Sequence, residues 1–541
     1  MLTTDLEPAG STIARPSDRP TARPPDRPSA MVGPKPVRHR SWGAMRTVWV
    51  LGDQLNRDLA HLRGTSPDDT RVLFVVSDAK LGERRWHRQK LHLVLSAMRH
   101  FAHELRGAGY EVDLRRAPSM REGFQQHVDA YDPDHVRAME PASQPADRLL
   151  RSLDVEVVDN DHFLCHWRAF AAWAGDREHL RMEDFYRWRR RTTGVLMDGE
   201  EPAGGRFNFD HANREPPTAD LAPRTRMPVR SELDDLDRDT LDWLPDGVFG
   251  AEPDGTWATT RRRALVRLRR FVDEALPSFG DHQDAMVAGA WSLHHSLLSH
   301  ALNLGLLHPR EVVAAVEDAY HAGDAPINAV EGFVRQIIGW REFIWNVYRR
   351  WMPDYARRNH LDAQLDVPPA FTGDAPTDMR CVQDTVTSIH EHAYAHHIQR
   401  LMVLANLATS AGVHPGQLTD WMHGAFIDAY EWVMVPNVVG MGTFADGGRM
   451  SSKPYISGGA YIDRMSHGYC EDCRFDRTAR TGDDACPFTT LYWDVLDRNR
   501  DRLGGNHRLA RPYATLDRLG DLEAVRERAQ QVRQRLAAGE L

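Results

Sequence analysis

From residue 47 the chain sets short, almost wholly apolar runs between longer amphipathic stretches. The runs TVWVL (47–51), VLFVV (72–76), YEVDL (110–114), HVRAM (135–139) and VEVV (155–158) have the length and β-branched content of strands. Between the second and third, apolar residues recur at helical spacing, predicting one long helix over 83–106 that stops at Gly107 and Gly109. Continuous apolar strands alternating with helices predict a doubly wound parallel sheet, buried on both faces. The first strand runs directly into Gly52, Asp53 and Gln54. Ligands of such sheets sit beyond the carboxyl ends of the strands. No GxGxxG follows this strand, which removes the ordinary dinucleotide fingerprint.

The pattern changes twice more. Residues 160–260 read as a connector, with a helix over 181–191, a Gly-rich loop over 202–214 that packs aromatic and charged residues into 204–214, and a proline- and acid-rich run over 215–258. From 260 to about 440 helical periodicity dominates, predicting helices over 261–276, 283–304, 309–321, 327–350, 383–411 and 415–430. The expected layout is a tail (1–45), an α/β domain (46–160), a connector (161–260) and a large all-helical domain (261–541). The tail carries eight prolines and no apolar period, the composition of a disordered extension.

Composition narrows the class. The 541 residues are 41% apolar and 27% charged, with 68 basic against 77 acidic side chains and a net charge of −9. A soluble globular protein is expected, and neither a generally basic nucleic-acid coat nor an integral membrane protein fits. Five cysteines in this length are no disulfide framework, and no secretory leader is visible, so the expected compartment is the reducing cytoplasm. A monomer is the default.

In that setting clustered cysteines point to a metal. Cys470-x2-Cys473-x12-Cys486, followed by Pro487, is a compact triplet, and Cys381 is the candidate fourth ligand. Cys165 is left as a buried spare. By spacing alone, zinc and iron–sulfur are both open. Three features favour iron–sulfur: the Cys-Pro closure, an aromatic rather than basic neighbourhood (Tyr455, Tyr461, Tyr469, Tyr492, Trp493), and a remote fourth ligand.

The helical region carries motifs that can be placed. SLLSHALNLGLLHP (296–309), EGFVRQIIGWREF (331–343), AHHIQRLM (395–402) and the stretch around Asp428 resemble the flavin-binding helices of photolyases and cryptochromes. Together with the four cysteines, FADGG (444–448), KPYISGGAYI (453–462) and the early GDQL (52–55), the chain most resembles the iron–sulfur bacterial cryptochrome and prokaryotic (6-4) photolyase group, from about residue 47 to 515.

The resemblance implies an α/β antenna domain, a helical domain holding FAD, a 4Fe–4S cluster on Cys381, Cys470, Cys473 and Cys486, and a ribityl-lumazine antenna pigment. It implies light-driven repair of a (6-4) lesion in UV-damaged DNA, the lesion leaving the duplex to reach the flavin. His397, with His396 beside it on one helix, is the expected proton donor, since an imidazole near pKa 6.5 can be held cationic. Tyr455 and Tyr461 match lesion-pocket tyrosines, and Trp340 a position facing the pocket. Arg400 and Asp428 match an ion pair over the flavin. Ser296, Ser299 and Asn303, at i, i+3 and i+7 of one helical face, match contacts to its phosphates and ribityl chain, with Arg335 and Met434 among the flavin-binding positions. Trp421 and Tyr430 match electron-carrying stations. Asp210 and Arg214 match a DNA-facing loop, where Asp210 would hold a divalent cation such as Mg2+. Asp53, Gln54 and Glu83 match the lumazine site.

Three positions depart from that pattern. Phe371 stands where a flavin-proximal tryptophan is usual, in AFTGDAPTDM (370–379), and a phenyl ring is far harder to oxidise. Met434 replaces the carboxylate or amide expected beside flavin N5, and Met422 replaces a second aromatic after Trp421. They leave a second reading, a blue-light photoreceptor with the same cofactors and no repair. A zinc-stabilised DNA-binding protein without flavin is the third.

Overall fold

The structure is a computed structural model and describes residues 45–221 and 228–541. All but the last residue of the expected tail over 1–45, and part of the acid-rich run, lie outside the described residues.

All five expected strands form: β1 (Arg46–Trp49), β2 (Thr70–Ser77), β3 (Glu111–Ala117), β4 (Val136–Met139) and β5 (Glu156–Val158). They pair in parallel in the order β3-β2-β1-β4-β5, which is a doubly wound sheet with its reversal at β1. The two-residue period explains why the runs 47–51 and 72–76, covered on both faces, are almost wholly apolar. Val48, Val50, Val72, Phe74 and Val76 face the helix Arg88–Gly107, whose Leu91, Leu95, Met98, Phe101 and Leu105 meet them. Trp49, Leu51, Leu73 and Val75 point the other way, onto Phe124 and Leu150.

The long helix begins at Arg88, five residues later than expected. His87 ends the incoming chain by accepting the Gln89 amide on Nδ1 at 3.1 Å. The helix is tied to the connector through Asp237, a fully buried carboxylate. Burial alone would raise its pKa, but hydrogen bonds from His100, Ser96 and Arg263 outweigh that and hold it far below the carboxylate range.

Beyond 260 the described chain is largely helical, with two departures from expectation that matter for the site. The expected helix over 283–304 is helical only at Ser299–Asn303. Before it, Met286–Val287 pairs with Ser466–His467, and Leu293 and Leu297 take φ of +38° and +52°. Buried Leu293, Leu297 and Leu298 mimic helical spacing, yet each is anchored separately in the core. The expected helix over 383–411 is two helices. The first, Arg380–His392, ends on Ala393 at φ +54°, and helical structure resumes at His397 and runs to Ala411 through a wide turn at Gln399–Ala405. His396 therefore precedes the helix that His397 starts.

The helix expected over 261–276 instead runs through a wide turn at Phe271–Ala275 to His282. That expected over 415–430 stops at Ala425, where Phe426 turns extended and releases a loop carrying Asp428. The helices Met182–Thr193, Pro309–Ala322 and Ile327–Trp351 stand close to where the pattern puts them. Among the described residues no helix is long and apolar enough to cross a membrane.

Candidate functional site

The helical region encloses a cavity of about 330 Å³, at the lower end of ligand-site volumes. Ser296, Ser299 and Asn303 line it from the irregular segment and the short helix after it. They reach one wall without sharing a helical face, because Ser296 lies outside the helix. Trp340 enters from the 327–351 helix, His397 and Arg400 from the helix after the break, and Asp428 and Met434 from beyond the Phe426 turn. Eight expected residues from four stretches of chain thus meet in one place.

Its polar centre is an ion pair. Arg400 donates to both oxygens of Asp428, at 2.9 and 3.3 Å. Ser299 Oγ donates to the same carboxylate at 2.7 Å, and Asn303 Nδ2 to the Asp428 carbonyl at 2.8 Å. Burial pushes the Asp428 pKa up, but Arg400, Ser299 and Lys90 outweigh it and keep the carboxyl ionised. Lys90 was not expected here: it comes from the helix under the sheet, is buried, and donates to the Ala429 carbonyl at 2.6 Å. Phe426 lies under the Arg400 guanidinium at 4.0 Å.

Sequence reasoning also missed Arg341, inside the WREF motif. It lines the cavity, pairs with Glu342 at 2.7 Å and leaves Nε and Nη2 without a protein partner. Its guanidinium stacks over Phe163 at 4.2 Å. Trp432, another unexpected lining residue, packs edge-on against Phe163, which stacks flat on Trp345 at 3.9 Å.

His397 borders the cavity and is exposed there. Desolvation by the wall, and then Arg400, push its pKa below the usual imidazole value, with Asp210 opposing. His396 turns away from the cavity, is fully buried and stacks on His295.

Arg335 does not line the cavity. It is buried and donates to Asp210 at 2.9 Å, while Arg214 takes the other oxygen of that carboxylate. Both Asp210 oxygens are thus engaged by guanidinium groups. Tyr455 and Tyr461 stand outside the lining too, but within electrostatic reach of Arg214 and Asp284. Asp210, which also acts on His397 and Tyr455, links this group to the cavity.

Trp421 is half-buried and packs on Phe371 at 5.5 Å and Phe426 at 6.2 Å. Phe371 is fully buried. Tyr430 is absent from the ring contacts of Trp421. Its buried hydroxyl has no partner and lies near Asp53.

Asp53 and Gln54 follow β1, at the point of sheet reversal. Gln54 Nε2 donates to the carbonyls of Met139 and Glu140, just past β4, at 3.2 and 3.3 Å, and its Oε1 has no protein partner. Desolvation raises the Asp53 pKa to about 6. Glu83 is held by Lys80 at 2.8 Å and Arg84 at 3.2 Å.

The four cysteines gather around one small pocket shared with Tyr469 and Phe488. Cys381 opens the helix Arg380–His392, and Cys470 and Cys473 share a turn. Cys486 is brought back when its amide donates to the Asp476 carbonyl at 3.0 Å. Burial, then the other thiols, raise the Cys381 pKa far above its usual value, and burial lifts Cys470 to about 12. Such thiols ionise readily only against a metal. Among the described residues, only His100, Asp234 and Asp237 bring three ligand atoms within 4.8 Å of one another. The sulfurs are therefore more widely set than the ~3.8 Å that thiolates on one tetrahedral zinc require. Cys165 is buried and distant from this group in the fold, its amide donating to Glu342 at 2.8 Å.

Comparison with known proteins places this arrangement. The profile of the deoxyribodipyrimidine photo-lyase-related protein family matches residues 48–247. A protein of Agrobacterium fabrum named (6-4) photolyase is 42% identical over 493 residues, covering 88% of this chain and 96% of its own. The crystal structure of a bacterial class III photolyase from Agrobacterium tumefaciens superposes with a TM-score of 0.57 at 16% identity, over 93% of this chain and all of that one. A Synechocystis cryptochrome follows with a TM-score of 0.52 at 11% identity, over 90% and 99% of the two chains. These two show a shared fold. From sequence and architecture together, the chain belongs to the photolyase–cryptochrome superfamily, in its deoxyribodipyrimidine photolyase-related, prokaryotic (6-4) photolyase group.

Proposed function

We propose that this protein is a light-driven DNA-repair lyase acting on (6-4) pyrimidine–pyrimidone photoproducts, as the name of its Agrobacterium relative indicates for that protein. One observation carries the reading: a mostly apolar cavity holds a buried Arg400–Asp428 pair, and His397 opens onto the same space. FAD is the cofactor that family membership implies. The fit is supported by the unpartnered Nε and Nη2 of Arg341 and by Ser296, Ser299 and Asn303 on the wall. Bound there and reduced, FAD would supply light-driven one-electron chemistry.

The chain's own residues do the rest. Arg400 and Asp428 fix a strong dipole in a dry wall, where it acts with little screening. His397 brings an imidazole to the cavity wall, and anionic DNA at the mouth favours its charged form. Trp340 offers an apolar face to a base turned out of the stack. Tyr455, Tyr461 and Arg214 form the polar rim. A divalent cation at Asp210 would have to take the oxygen that Arg214 now holds.

Two further cofactors fit. The wide setting of Cys381, Cys470, Cys473 and Cys486 suits a 4Fe–4S cluster, in which each thiolate binds a different iron. The Asp53 carboxyl, Gln54 Oε1 and Tyr430 hydroxyl, two of them unpartnered, suit a ribityl-lumazine at the sheet reversal. The purified protein is expected to be coloured, with flavin bands on a broad iron–sulfur absorption and about four irons per chain. A colourless, zinc-containing protein would refute both assignments.

Phe371 and Met434 favour the second reading, a blue-light photoreceptor with little repair. Blue light plus reductant, applied to an oligonucleotide carrying one (6-4) lesion, decides between them: restored bases support repair, and an unchanged lesion leaves the photoreceptor. Trp421→Phe is expected to slow photoreduction about tenfold or more without loss of folding, since its ring is replaced in place. An unchanged rate in a flash experiment would send the electron by another route, with Trp432 on the cavity wall the next aromatic to test.

A further inference from the structure

Among the described residues, four helices start on a histidine whose own ring caps them. Nδ1 of His87, His166, His308 and His414 accepts the amide two residues on, at 3.1, 3.2, 3.1 and 3.1 Å. Ser, Thr, Asp and Asn usually perform this task. His396 holds the same place before the helix that His397 starts, yet neither of its ring nitrogens has a protein partner. Its ring stacks on His295 instead. The helix that presents His397 and Arg400 to the cavity therefore lacks the cap its sequence offers.

Gln399 supplies one from the other side. Its Oε1 accepts the His396 amide at 3.2 Å, the reach-back half of a capping box. The Arg400 amide donates to the His396 carbonyl at 3.1 Å and closes the first turn. Gln399 is fully buried, and which end of its amide faces His396 depends on what holds the other end. Nε2 donates to the Tyr469 hydroxyl at 2.9 Å, and that hydroxyl donates to Asp384 Oδ2 at 2.8 Å. An ionised carboxylate only accepts, so Asp384 fixes the direction of the whole line. The phenol gives its proton to Asp384, its oxygen is left to accept from Nε2, and Oε1 is thereby turned to His396.

Asp384 also holds a second wall of the cavity. Its Oδ1 accepts the Gly289 amide at 2.9 Å, just after Met286–Val287 pairs with Ser466–His467. From there the chain runs on to Ser296 in the lining. Both Asp384 and Tyr469 stand beside the cysteines. Asp384 lies one turn after Cys381 in the helix Arg380–His392, and Tyr469 directly precedes Cys470. Gathering the four thiols in one place therefore brings the Asp384 carboxylate to the Tyr469 hydroxyl.

We propose that Asp384, Tyr469 and Gln399 are positioning residues that lock the start of the His397 helix, so that the cysteine centre sets where His397 and Arg400 stand in the cavity wall. None of the three lines the cavity. They act through the His396 and Gly289 backbone amides. A proton donor must lie within hydrogen-bond reach of its acceptor, and a misplacement of about 1 Å can cost about a hundredfold in rate. This inference rests on the repair reading of the cavity.

The test uses the full-length, cofactor-loaded protein. Tyr469→Phe removes one hydroxyl and keeps the ring that packs beside the cysteines. Amide hydrogen exchange across residues 394–402 is read by mass spectrometry, with the helical stretch 327–351 as the internal control. Exchange across 394–402 should quicken about fivefold or more, the scale of a lost helix cap, while the control stays unchanged. Iron content, flavin content and dark affinity for a (6-4) oligonucleotide should match the wild type, whereas repair per absorbed photon should fall about tenfold or more. Retained binding with lost yield is a split that general loosening does not produce. Gln399→Met breaks the same line away from the cysteines and should give the same pattern, and the double variant should be no worse than Gln399→Met alone. Unchanged exchange across 394–402 in both single variants overturns the proposal, as does an equal rise in the control helix or a full repair yield beside quickened exchange. If Tyr469→Phe loses its iron, Gln399→Met decides. Repair by the wild type is scored separately: its absence removes the repair reading, whereas the exchange rates judge the lock alone.

Discussion

Replacing His397 with Ala is expected to lower repair of a (6-4) lesion by about 10²–10⁴-fold, the usual contribution of a positioned general acid, with flavin still bound. The ring borders the cavity, so its removal enlarges a space that already exists and opens no new void in the core. The ion pair of Arg400 and Asp428 remains intact, and with it the polar part of the wall. Loss of repair would then report lost chemistry and not lost folding. Bases restored under blue light, measured beside the flavin absorbance of the same sample, provide the check. Undiminished repair with a full flavin complement would take His397 out of the reaction.

Asp428→Ala is expected to be the most damaging substitution in the cavity wall. It leaves the Arg400 guanidinium without its anion, and breaking one side of a buried pair costs about 3–5 kcal/mol. Ser299 also loses its acceptor, whereas the bond from Asn303 goes to the main chain and persists. The variant should purify with little flavin and melt well below the wild type. The double change Arg400→Met with Asp428→Leu should regain much of the thermal stability, since well-packed apolar groups can replace a buried pair, and yet still lack flavin. If Asp428→Ala kept both its melting temperature and its flavin, the pair would not be the organising centre of the wall.

Much of the fold is legible because burial leaves a simple mark. Strands covered on both faces have no polar side to show, so β1, β2 and β4 stand out as apolar runs, and a parallel sheet follows from their alternation with helices. The segment 283–298 misleads for the same reason. Leu293, Leu297 and Leu298 are all buried, and their spacing imitates a helix, but an extended loop threaded through a core buries leucines equally well. At Ala393 the sequence carries no glycine or proline to announce the break. The left-handed residue is held there by contacts from afar, the Ile427 amide donating to its carbonyl at 2.8 Å.

The candidate site divides along the same line. Side chains that must bear one chemistry, such as the thiols at 381, 470, 473 and 486 or the Arg400–Asp428 pair, are recognisable by type and motif. Lys90, Arg341 and His295 are not, because lysine, arginine and histidine are ordinary surface residues until the fold brings them inside. The resting charge of His397 is hidden as well. Its motif says imidazole, but the downward push on its pKa comes from desolvation by the wall and from the guanidinium of Arg400.

By itself the sequence determined the strands, most of the helices, the four thiols that gather in one place and most of the expected cavity-lining residues, since each depends on local periodicity or on the kind of side chain. Tertiary structure alone decided that Asp210 is closed by two arginines, that the Tyr430 hydroxyl is buried near Asp53 and Asp428 without a ring contact to Trp421, and that Arg341 lines the cavity. Those outcomes depend on distance and on the surrounding dielectric, and both are properties of the packed chain that no stretch of it contains.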